Sequence, residues 1–420
     1  MISSLFESTN KCNNLNYKNF SEWFQGFCDA ESNFTIRIRK KKDKILGFEF
    51  IFRISLHIDD LNVLEMIQEK LKCGRIRKNR NTYELRISSL KDIEEVIIPR
   101  FDNYPLMTKK YLDYLNFRKS FFIYKERARD EKNRYKYDLN ILELKNTMND
   151  KRCDFRMPDN HVRINANYLL GYIEGDGSFY FNKSDNTVRI SLITIEEDRI
   201  VLEKMREFLF NQLDEHSLFL AKHTKLIFIN NKNIGAKRKL ISELQISQID
   251  FICNILIPFF DNLDFKTKKY LDYLDFRKIA FLIFEGKHLS EKGRSLIIQL
   301  ADTMNNSRLS TNLSKISTLD SNFNSDMELL LKSNALVNID SEGRALIIRN
   351  NKLIRSTYII EATFENGNIK YFPTGTSCAK VFNVSDTTIS KRLNDRQPLL
   401  SKDRKILVLY LRRIKVYTKK

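Results

Sequence analysis

Hydrophobic and polar residues follow two different periods along the chain. After an apolar run near residue 24, apolar and polar or basic residues alternate over 34–39, 52–56 and 83–87. Alternation of this kind indicates half-buried strands, whereas the spacing over 59–72 is typical of a helix. The resulting order of helix, strands, helix, strands and helix predicts an α+β unit with a curved antiparallel sheet.

The second part of the chain repeats the first. The stretch IIPRFDNYPLMTKKYLDYLNFRK (97–119) aligns without a gap with LIPFFDNLDFKTKKYLDYLDFRK (256–278). Repetition over this length indicates two copies of one domain, since the period is too long for a solenoid. The predicted boundaries are an N-terminal extension at 1–17, a first copy at 18–152, a linker at 153–165 and a second copy at 166–308.

The last part of the chain has its own pattern. Ser, Asn and Thr dominate 305–326, which predicts a linker, placed at 309–340. A hairpin is predicted around Asn366-Gly367, and two short helices follow it, joined by a turn at 383–385. The region 341–420 therefore has the outline of a helix-turn-helix module, with a generic helical hairpin as the alternative. Its predicted DNA-contacting residues are Thr388, Lys391 and Arg392.

The charge of the chain points to a polyanionic partner. The sequence has 72 Lys and Arg against 53 Asp and Glu, a formal net charge of +19. Nucleic acid is the first candidate because phosphate neutralisation supplies most non-specific affinity, although a need for solubility alone is the alternative. No apolar run has transmembrane length, so we expect no membrane partner. The basic residues expected at the DNA, on the strands and their loops, are Arg37, Arg39, Arg53, Arg75, Arg77, Arg86, Arg189 and Lys237.

Each copy begins with two small residues four positions apart, followed at once by an acid. The first copy has Gly26, Ala30 and Glu31 at these positions, and the second has Gly171, Gly175 and Asp176. A glycine inside a helix costs roughly 1 kcal/mol relative to alanine, so a compensating contact is expected. Small residues at this spacing share one helix face, which would let the two motif helices pack closely at the interface between the copies.

The acids then meet at adjacent helix ends. Two carboxylates drawn together are unfavourable unless a divalent metal bridges them, and Mg²⁺ takes one or two carboxylates together with water and phosphate oxygens. Such a metal can activate water and stabilise in-line displacement at phosphorus. In the alternative interpretation, Glu31 and Asp176 only end their helices. Asp29 and Glu174, two residues earlier, are expected to be structural.

The motifs LLGYIEGDG (169–177) and, more loosely, FQGFCDAES (24–32) resemble the single-chain form of the LAGLIDADG homing endonucleases. The resemblance covers about 18–308. It implies two pseudo-symmetric αββαββα-type halves that form a DNA-binding saddle, and Mg²⁺ or Mn²⁺ held by Glu31 and Asp176. It also implies cutting of both strands of a long target, with short 3′ overhangs. The module at 341–420 resembles those appended to homing endonucleases.

The family also uses basic residues near the C-terminal end of each half. Two T-K-K sequences supply the candidates, Lys109 or Lys110 in the first half and Lys268 or Lys269 in the second. The sequence does not separate the members of each pair, and Lys109 and Lys268 are taken as the catalytic candidates.

Other functions stay open at this stage. A maturase that binds its own intron RNA is the main alternative to a site-specific DNA endonuclease, and a DNA-binding regulator with an inactive nuclease fold is a third. Cysteines and histidines are scattered without metal-ligand spacing, which argues against zinc chemistry and disulfides. The N-terminal residues lack the pattern of a signal or transit peptide, so we expect an organelle-encoded, mitochondrial protein, or otherwise a cytoplasmic or nucleoid one. Two motifs in one chain predict a monomer.

Overall fold

Two four-stranded antiparallel sheets frame the molecule, and both have the strand order first, second, fourth, third. The computed structural model describes residues 18–42, 44–234, 239–315, 322–401 and 403–417. Lys237 and the predicted extension at 1–17 lie outside them. The strands of the first sheet are Ser32–Lys41, Lys44–His57, Arg75–Asn79 and Thr82–Ile87, and those of the second are Gly177–Asn182, Thr187–Ile195, Ile227–Ile234 and Lys239–Ile246.

Helices surround the two sheets in the same order in each half, which confirms the predicted α+β fold. In the first half they are 18–31, Leu61–Leu71, 90–103, Lys110–Arg129 and Arg134–Asn146. In the second they are Ala166–Asp176, Arg199–Phe210, Glu215–His223, 249–261, Lys269–Phe284 and Glu291–Asp302. The helix Glu215–His223 has no counterpart among the described residues of the first half. No helix of the described ranges is both long and apolar enough to cross a bilayer.

Each half has its own core between one face of the sheet and the helices behind it. In the first core the rings of Phe34 and Phe117 lie 5.3 Å apart, and in the second the rings of Phe179 and Phe276 lie 5.3 Å apart. Alternate strand residues point into these cores, because successive side chains of a strand face opposite sides. The other face of each sheet is therefore left for polar side chains.

The predicted linker at 309–340 differs from the structure, since it contains a helix and a strand. Helix Phe323–Lys332 buries Phe323 and Met327 against the second core, and strand Val337–Ile339 pairs with the strand that follows it. Phe323 and Met327 are four residues apart and share one helix face. The Ser- and Asn-rich composition around them concealed that spacing.

The C-terminal region folds around small sheets and two short helices. The hairpin predicted at Asn366-Gly367 is present, and Gly367 has a φ of +78°. The region's strands are Val337–Ile339, Arg344–Ile347, Leu353–Ser356, Tyr358–Thr363, Ile369–Phe372, Leu399–Leu400, Ile406–Val408 and Tyr410–Lys415. Helices Gly375–Phe382 and Asp386–Asp395 are joined through Asn383, which has a left-handed conformation.

This region is fixed to the second half. Tyr417 is buried, with its ring 5.8 Å from that of Phe251, and its amide donates to Ser217 Oγ at 2.9 Å. Arg355 forms an ion pair of 2.9 Å with the buried Asp250. The second core therefore continues into the C-terminal region.

Candidate active site and DNA-binding surface

The two motif helices, 18–31 and Ala166–Asp176, touch through their glycines. A Cβ added to Gly26 would lie 2.1 Å from the carbonyl oxygen of Tyr168, and one added to Gly171 would lie 2.0 Å from that of Trp23. No side chain larger than hydrogen fits at such distances. The glycines therefore allow backbone-to-backbone packing, which is the compensation that their helical position requires.

The same contact brings the acids together. Glu31 and Asp176 are the last residues of the two motif helices. A Cβ on Gly175 would lie 2.3 Å from Ala30 Cβ and 3.2 Å from Glu31 Cγ, so the two helix ends are in direct contact. Burial raises the pKa of both carboxyls, and the charge of Asp176 raises that of Glu31 further. The structure thus holds two mutually repelling acids side by side.

One lysine from each half approaches this pair, and it is the second lysine of each T-K-K sequence. The ammonium group of Lys110 donates to the carbonyl of Cys28 at 2.9 Å and to that of Ala30 at 3.2 Å. The ammonium group of Lys269 donates to the carbonyls of Gly175, at 3.1 Å, and Gly177. Burial lowers the pKa of both lysines, while the nearby Glu31 and Asp176 favour their charged forms.

The choice of Lys109 and Lys268 therefore needs correction. The ammonium group of Lys109 lies 5.6 Å from the centre of the Phe155 ring, and that of Lys268 pairs with Asp59 and donates to the Arg308 carbonyl at 2.7 Å. Successive residues of a helix point about 100° apart, so neighbours cannot share one target.

A sequence signal for the inward-facing lysines does exist. Lys110 is four and seven residues before the buried Tyr114 and Phe117, and Lys269 precedes Tyr273 and Phe276 by the same intervals. Residues at these intervals share one helix face. Helical periodicity thus places Lys110 and Lys269, and not their neighbours, on the buried side.

Asp29 holds the chain that leads into the first lysine helix, Lys110–Arg129. Its carboxylate accepts hydrogen bonds from the amides of Met107, at 2.7 Å, and Thr108, at 3.1 Å, and from Thr108 Oγ1 at 2.6 Å. Tyr168 of the second half donates its hydroxyl to the same carboxylate at 2.8 Å. Asp29 thus anchors the start of the first lysine helix.

Glu174 does the same for the second lysine helix, Lys269–Phe284. It accepts hydrogen bonds from the amides of Lys266, at 2.8 Å, and Thr267, at 2.6 Å. Trp23 of the first half donates its indole N–H at 2.6 Å. The two halves therefore have equivalent anchors, each completed by a side chain of the other half.

The open face of the first sheet is strongly basic. Its four strands contain ten lysines and arginines against two glutamates. Arg86 lies opposite Arg53 on one neighbouring strand and opposite Arg75 on the other, so the three form a row across the sheet. Glu49 binds Arg86 at 2.7 Å, which holds that side chain in place. The exposed arginines of this face are Arg37, Arg39, Arg53, Arg75 and Arg77.

The open face of the second sheet carries less charge. Its strands contain three lysines and arginines and one glutamate. Arg189 is bound to Asp185 in the adjacent loop, and Lys232 is bound to the buried Glu243. The structure therefore gives the two saddle faces unequal charge.

Both halves of the chain match one known protein family. The profile of the LAGLIDADG endonuclease family matches residues 24–121 and 169–280, which together make up half of the chain. The chain belongs to the LAGLIDADG endonuclease family. The two matched stretches contain the C-terminal part of each motif helix, both acids and both lysines described above.

Relatives of this LAGLIDADG chain occur in fungi. It is similar to the uncharacterized mitochondrial protein RF1 of Saccharomyces cerevisiae, with 24% identity over 401 residues, 94% of this chain and 82% of RF1. It is also similar to probable intron-encoded endonuclease 2 of Neurospora crassa, with 27% identity over 309 residues, covering 66% of this chain and 64% of that protein. The match therefore spans somewhat less than two thirds of that endonuclease.

Solved LAGLIDADG structures have the same fold. The homing endonuclease I-GzeII in complex with its DNA target superposes with a TM-score of 0.58 at 24% identity, over 68% of this chain and 99% of that one. The meganuclease I-SmaMI bound to uncleavable DNA gives a TM-score of 0.58 at 25% identity, over 69% and 98%. I-SmaMI has also been solved on uncleaved DNA in the presence of calcium ions.

The donor atoms at the LAGLIDADG helix ends fit a hard divalent cation. Glu31 and Asp176 offer carboxylate oxygens only, the ligand type that Mg²⁺ prefers. Within the described ranges, no group of three or more His, Cys, Asp or Glu side chains forms a closed metal cage. A site of two carboxylates leaves coordination positions for water and phosphate oxygens.

The C-terminal helices Gly375–Phe382 and Asp386–Asp395 follow the LAGLIDADG acids by about 200 residues or more in the chain. The three residues predicted to contact DNA differ in exposure. Lys391 is exposed on helix Asp386–Asp395. Thr388 takes part in the cap of that helix, within 2.8 Å of Ser385 Oγ, and Arg392 pairs with Asp395 at 2.8 Å. Lys391 is thus the most accessible of the three residues predicted to contact DNA.

Proposed function

We propose that this protein is a site-specific double-strand DNA endonuclease of the homing type. The observation that carries the proposal is the contact between the two motif helices, which joins Glu31 and Asp176 beside two half-buried lysines. Each half supplies one lysine to this point, Lys110 or Lys269, and the open face of the first sheet supplies a basic surface. A structural role alone would not require two repelling acids at one point.

Glu31 and Asp176 would hold Mg²⁺ or Mn²⁺. When bound, the metal supplies activation of water and stabilisation of charge at the scissile phosphate. The carboxylates would bind and orient the metal. Burial raises the pKa of both carboxyls, and the charge of Asp176 raises that of Glu31 further, so a divalent cation beside them would favour their charged forms. The ammonium groups of Lys110 and Lys269 provide fixed positive charge near the same point, where it favours a developing phosphate anion.

The basic saddle would bind a long and asymmetric DNA target. The first sheet would contribute Arg37, Arg39, Arg53, Arg75, Arg77 and Arg86, and the second would contribute Arg189. Lys237, which lies outside the described residues, stays a contact predicted from the sequence. Lysines and arginines neutralise phosphates and fix the register of the duplex. Because one chain contains both halves, the active form would be a monomer. Its cuts in the two strands would be offset and leave short 3′ overhangs.

The C-terminal module would add contacts outside the main target through Thr388, Lys391 and Arg392. Its fixed attachment to the second half supports this role, because a rigid module can bind only at a set distance from the cleavage point. Lys391→Ala should shorten the DNase I footprint at one end while the cleavage position stays the same. An unaltered footprint would contradict the assignment.

The similarity to RF1, whose name places it in mitochondria, supports a mitochondrial origin, and the similarity to a probable intron-encoded endonuclease supports an intron as its source. The host gene without its intron is then the natural substrate. Purified protein is incubated with that DNA in Mg²⁺ or in Ca²⁺, beside the Asp176→Asn variant. Cutting of both strands in Mg²⁺, with binding but no cutting by the variant, is expected. Stable binding of the intron RNA without DNA cleavage would favour the maturase instead.

A further inference from the structure

One helix in each half begins with an aspartate that does not cap its own helix. Asp60 immediately precedes helix Leu61–Leu71, and Asp198 precedes helix Arg199–Phe210. An aspartate at this position ordinarily accepts a hydrogen bond from an amide of the helix that follows. Neither carboxylate does so, although the two residues have nearly the same backbone conformation, with φ of −108° and −100°.

Both carboxylates reach the opposite half instead. Asp198 of the second half accepts a hydrogen bond from the amide of Lys109 at 2.6 Å, and Asp60 of the first half accepts one from the amide of Lys268 at 2.7 Å. Lys109 and Lys268 directly precede the two lysine helices, where backbone amides lack partners within the helix. The start of each lysine helix is therefore tied across the interface between the halves.

Each of these hydrogen bonds involves the residue directly before an active-site lysine, Lys110 or Lys269. The amide of Lys110 donates to Thr108 Oγ1 at 3.3 Å, and that of Lys269 donates to Thr267 Oγ1 at 3.3 Å. Three successive amides at each helix start are thus held by an acid of the same half, an acid of the other half and a threonine. The ammonium groups of Lys110 and Lys269 project from this fixed turn onto the ends of the motif helices.

We propose that Asp60 and Asp198 are positioning residues that set each active-site lysine from the opposite half and so keep the two strand cuts in step. The proposal rests on the nuclease function given above. A displacement of about 1 Å at a catalytic group can slow a reaction on the order of 100-fold. Because each aspartate acts on one lysine helix, loss of one should slow one strand cut more than the other.

The test uses supercoiled plasmid that carries the intron-free host sequence, with full-length wild-type protein and single variants. Asp198→Ala and Asp60→Ala should accumulate nicked circles, and end-labelled DNA should show the slow cut on opposite strands for the two variants. We expect the affected strand to be cut roughly 10- to 100-fold more slowly. The other strand should be cut within about threefold of the wild-type rate.

Two comparisons separate positioning from a general loss of stability. Asp198→Asn keeps an oxygen at the acceptor position and should restore balanced cutting. Asp214→Ala is the matched control, because Asp214 caps its own helix through the amide of Ser217 at 2.9 Å and makes no tie of this kind to a lysine helix. It should lower thermal stability without strand bias.

Three different outcomes would contradict the positioning role, the hydrogen bond as its cause and the nuclease function, respectively. Equal slowing of both strands by Asp60→Ala and Asp198→Ala would overturn the positioning role while leaving the nuclease function intact. Failure of Asp198→Asn to improve on Asp198→Ala would overturn the hydrogen bond as the cause. Absence of any cutting by wild-type protein in Mg²⁺ would overturn the proposed function itself.

Discussion

At the scale of single residues, the site depends on which of two adjacent lysines faces inward. Lys110 and Lys269 lie on the buried face of their helices and meet the carbonyl groups at the ends of the motif helices. Lys109 and Lys268 have the same chemistry and neighbouring sequence, so residue type alone could not separate them. The interval of four residues from Lys110 to Tyr114, and from Lys269 to Tyr273, separates them.

Replacing Lys110 by methionine tests this assignment. The substitution keeps the buried apolar stem and removes the charge beside Glu31 and Asp176, so we expect cleavage to slow on the order of 100-fold. DNA affinity should change less than about threefold, since the half-buried Lys110 donates its ammonium hydrogens to the carbonyls of Cys28 and Ala30. Single-turnover cleavage and a binding titration measure the two effects.

The control is Lys109→Met, whose ammonium group lies against the Phe155 ring. It should cleave at close to the wild-type rate. If Lys109→Met loses more activity than Lys110→Met, the geometric assignment is wrong.

A second residue-scale prediction concerns pH. Burial raises the pKa of the Asp198 carboxyl to about 7, against an ordinary value near 4. The folded protein then binds this proton more tightly than the unfolded chain does. The resulting stability is present in full below about pH 4 and is lost as the pH rises through about 7, by up to about 4 kcal/mol.

Asp198→Asn cannot titrate, so its melting temperature should fall less than that of the wild type between about pH 5 and pH 8. Thermal denaturation at a series of pH values measures the difference. Identical pH profiles for the two proteins would show that Asp198 does not titrate in this range.

At the scale of elements, the order of helices and strands could be predicted because their hydrophobic periods differ clearly. Helix Phe323–Lys332 is not predictable in this way, because Ser and Asn surround its apolar positions. The bonds from Asp60 to Lys268 and from Asp198 to Lys109 join residues that are 208 and 89 positions apart. No local sequence pattern indicates such contacts, so they can be identified only from the three-dimensional structure.

The packing of the motif helices gives the element-scale prediction. Gly171→Ala would place a methyl group 2.0 Å from the Trp23 carbonyl oxygen, so the helices must separate. Overpacking of this kind should lower the free energy of unfolding by about 1 to 3 kcal/mol and reduce cleavage, since the acids move apart. Denaturant titration and a cleavage assay on the same sample measure both effects.

Gly375→Ala is the matched control for this substitution. Its Cβ would meet only Ile389 Cγ2, at 4.0 Å, at the start of helix Gly375–Phe382. Its stability should equal or slightly exceed that of the wild type. A Gly171→Ala variant as stable and active as Gly375→Ala would contradict the close helix contact.

At the scale of the whole molecule, the two halves are equal in fold but unequal in charge. The first sheet presents a row of exposed arginines, whereas the charged side chains of the second are largely paired. The C-terminal region is built onto the less basic half. We therefore expect the first half to supply more of the electrostatic affinity for DNA.

Replacing Arg75 and Arg77 by alanine tests this expectation. Each lost phosphate contact should reduce the slope of log affinity against log salt by about one. Arg118→Ala is the control, because Arg118 pairs with Asp102 on the helical side of the molecule. A slope unchanged by Arg75→Ala and Arg77→Ala would remove the first sheet from the DNA surface.

In the proposed nuclease, Glu31 and Asp176 together serve the cutting of both strands of one DNA site. The most direct measurement maps the cleaved ends of each strand of the intron-free host DNA, with wild-type protein and Asp176→Asn in Mg²⁺. We expect the wild type to make one cut per strand, offset to leave short 3′ overhangs, and Asp176→Asn to bind the site without cutting it. Cleavage by Asp176→Asn at the wild-type rate would contradict it.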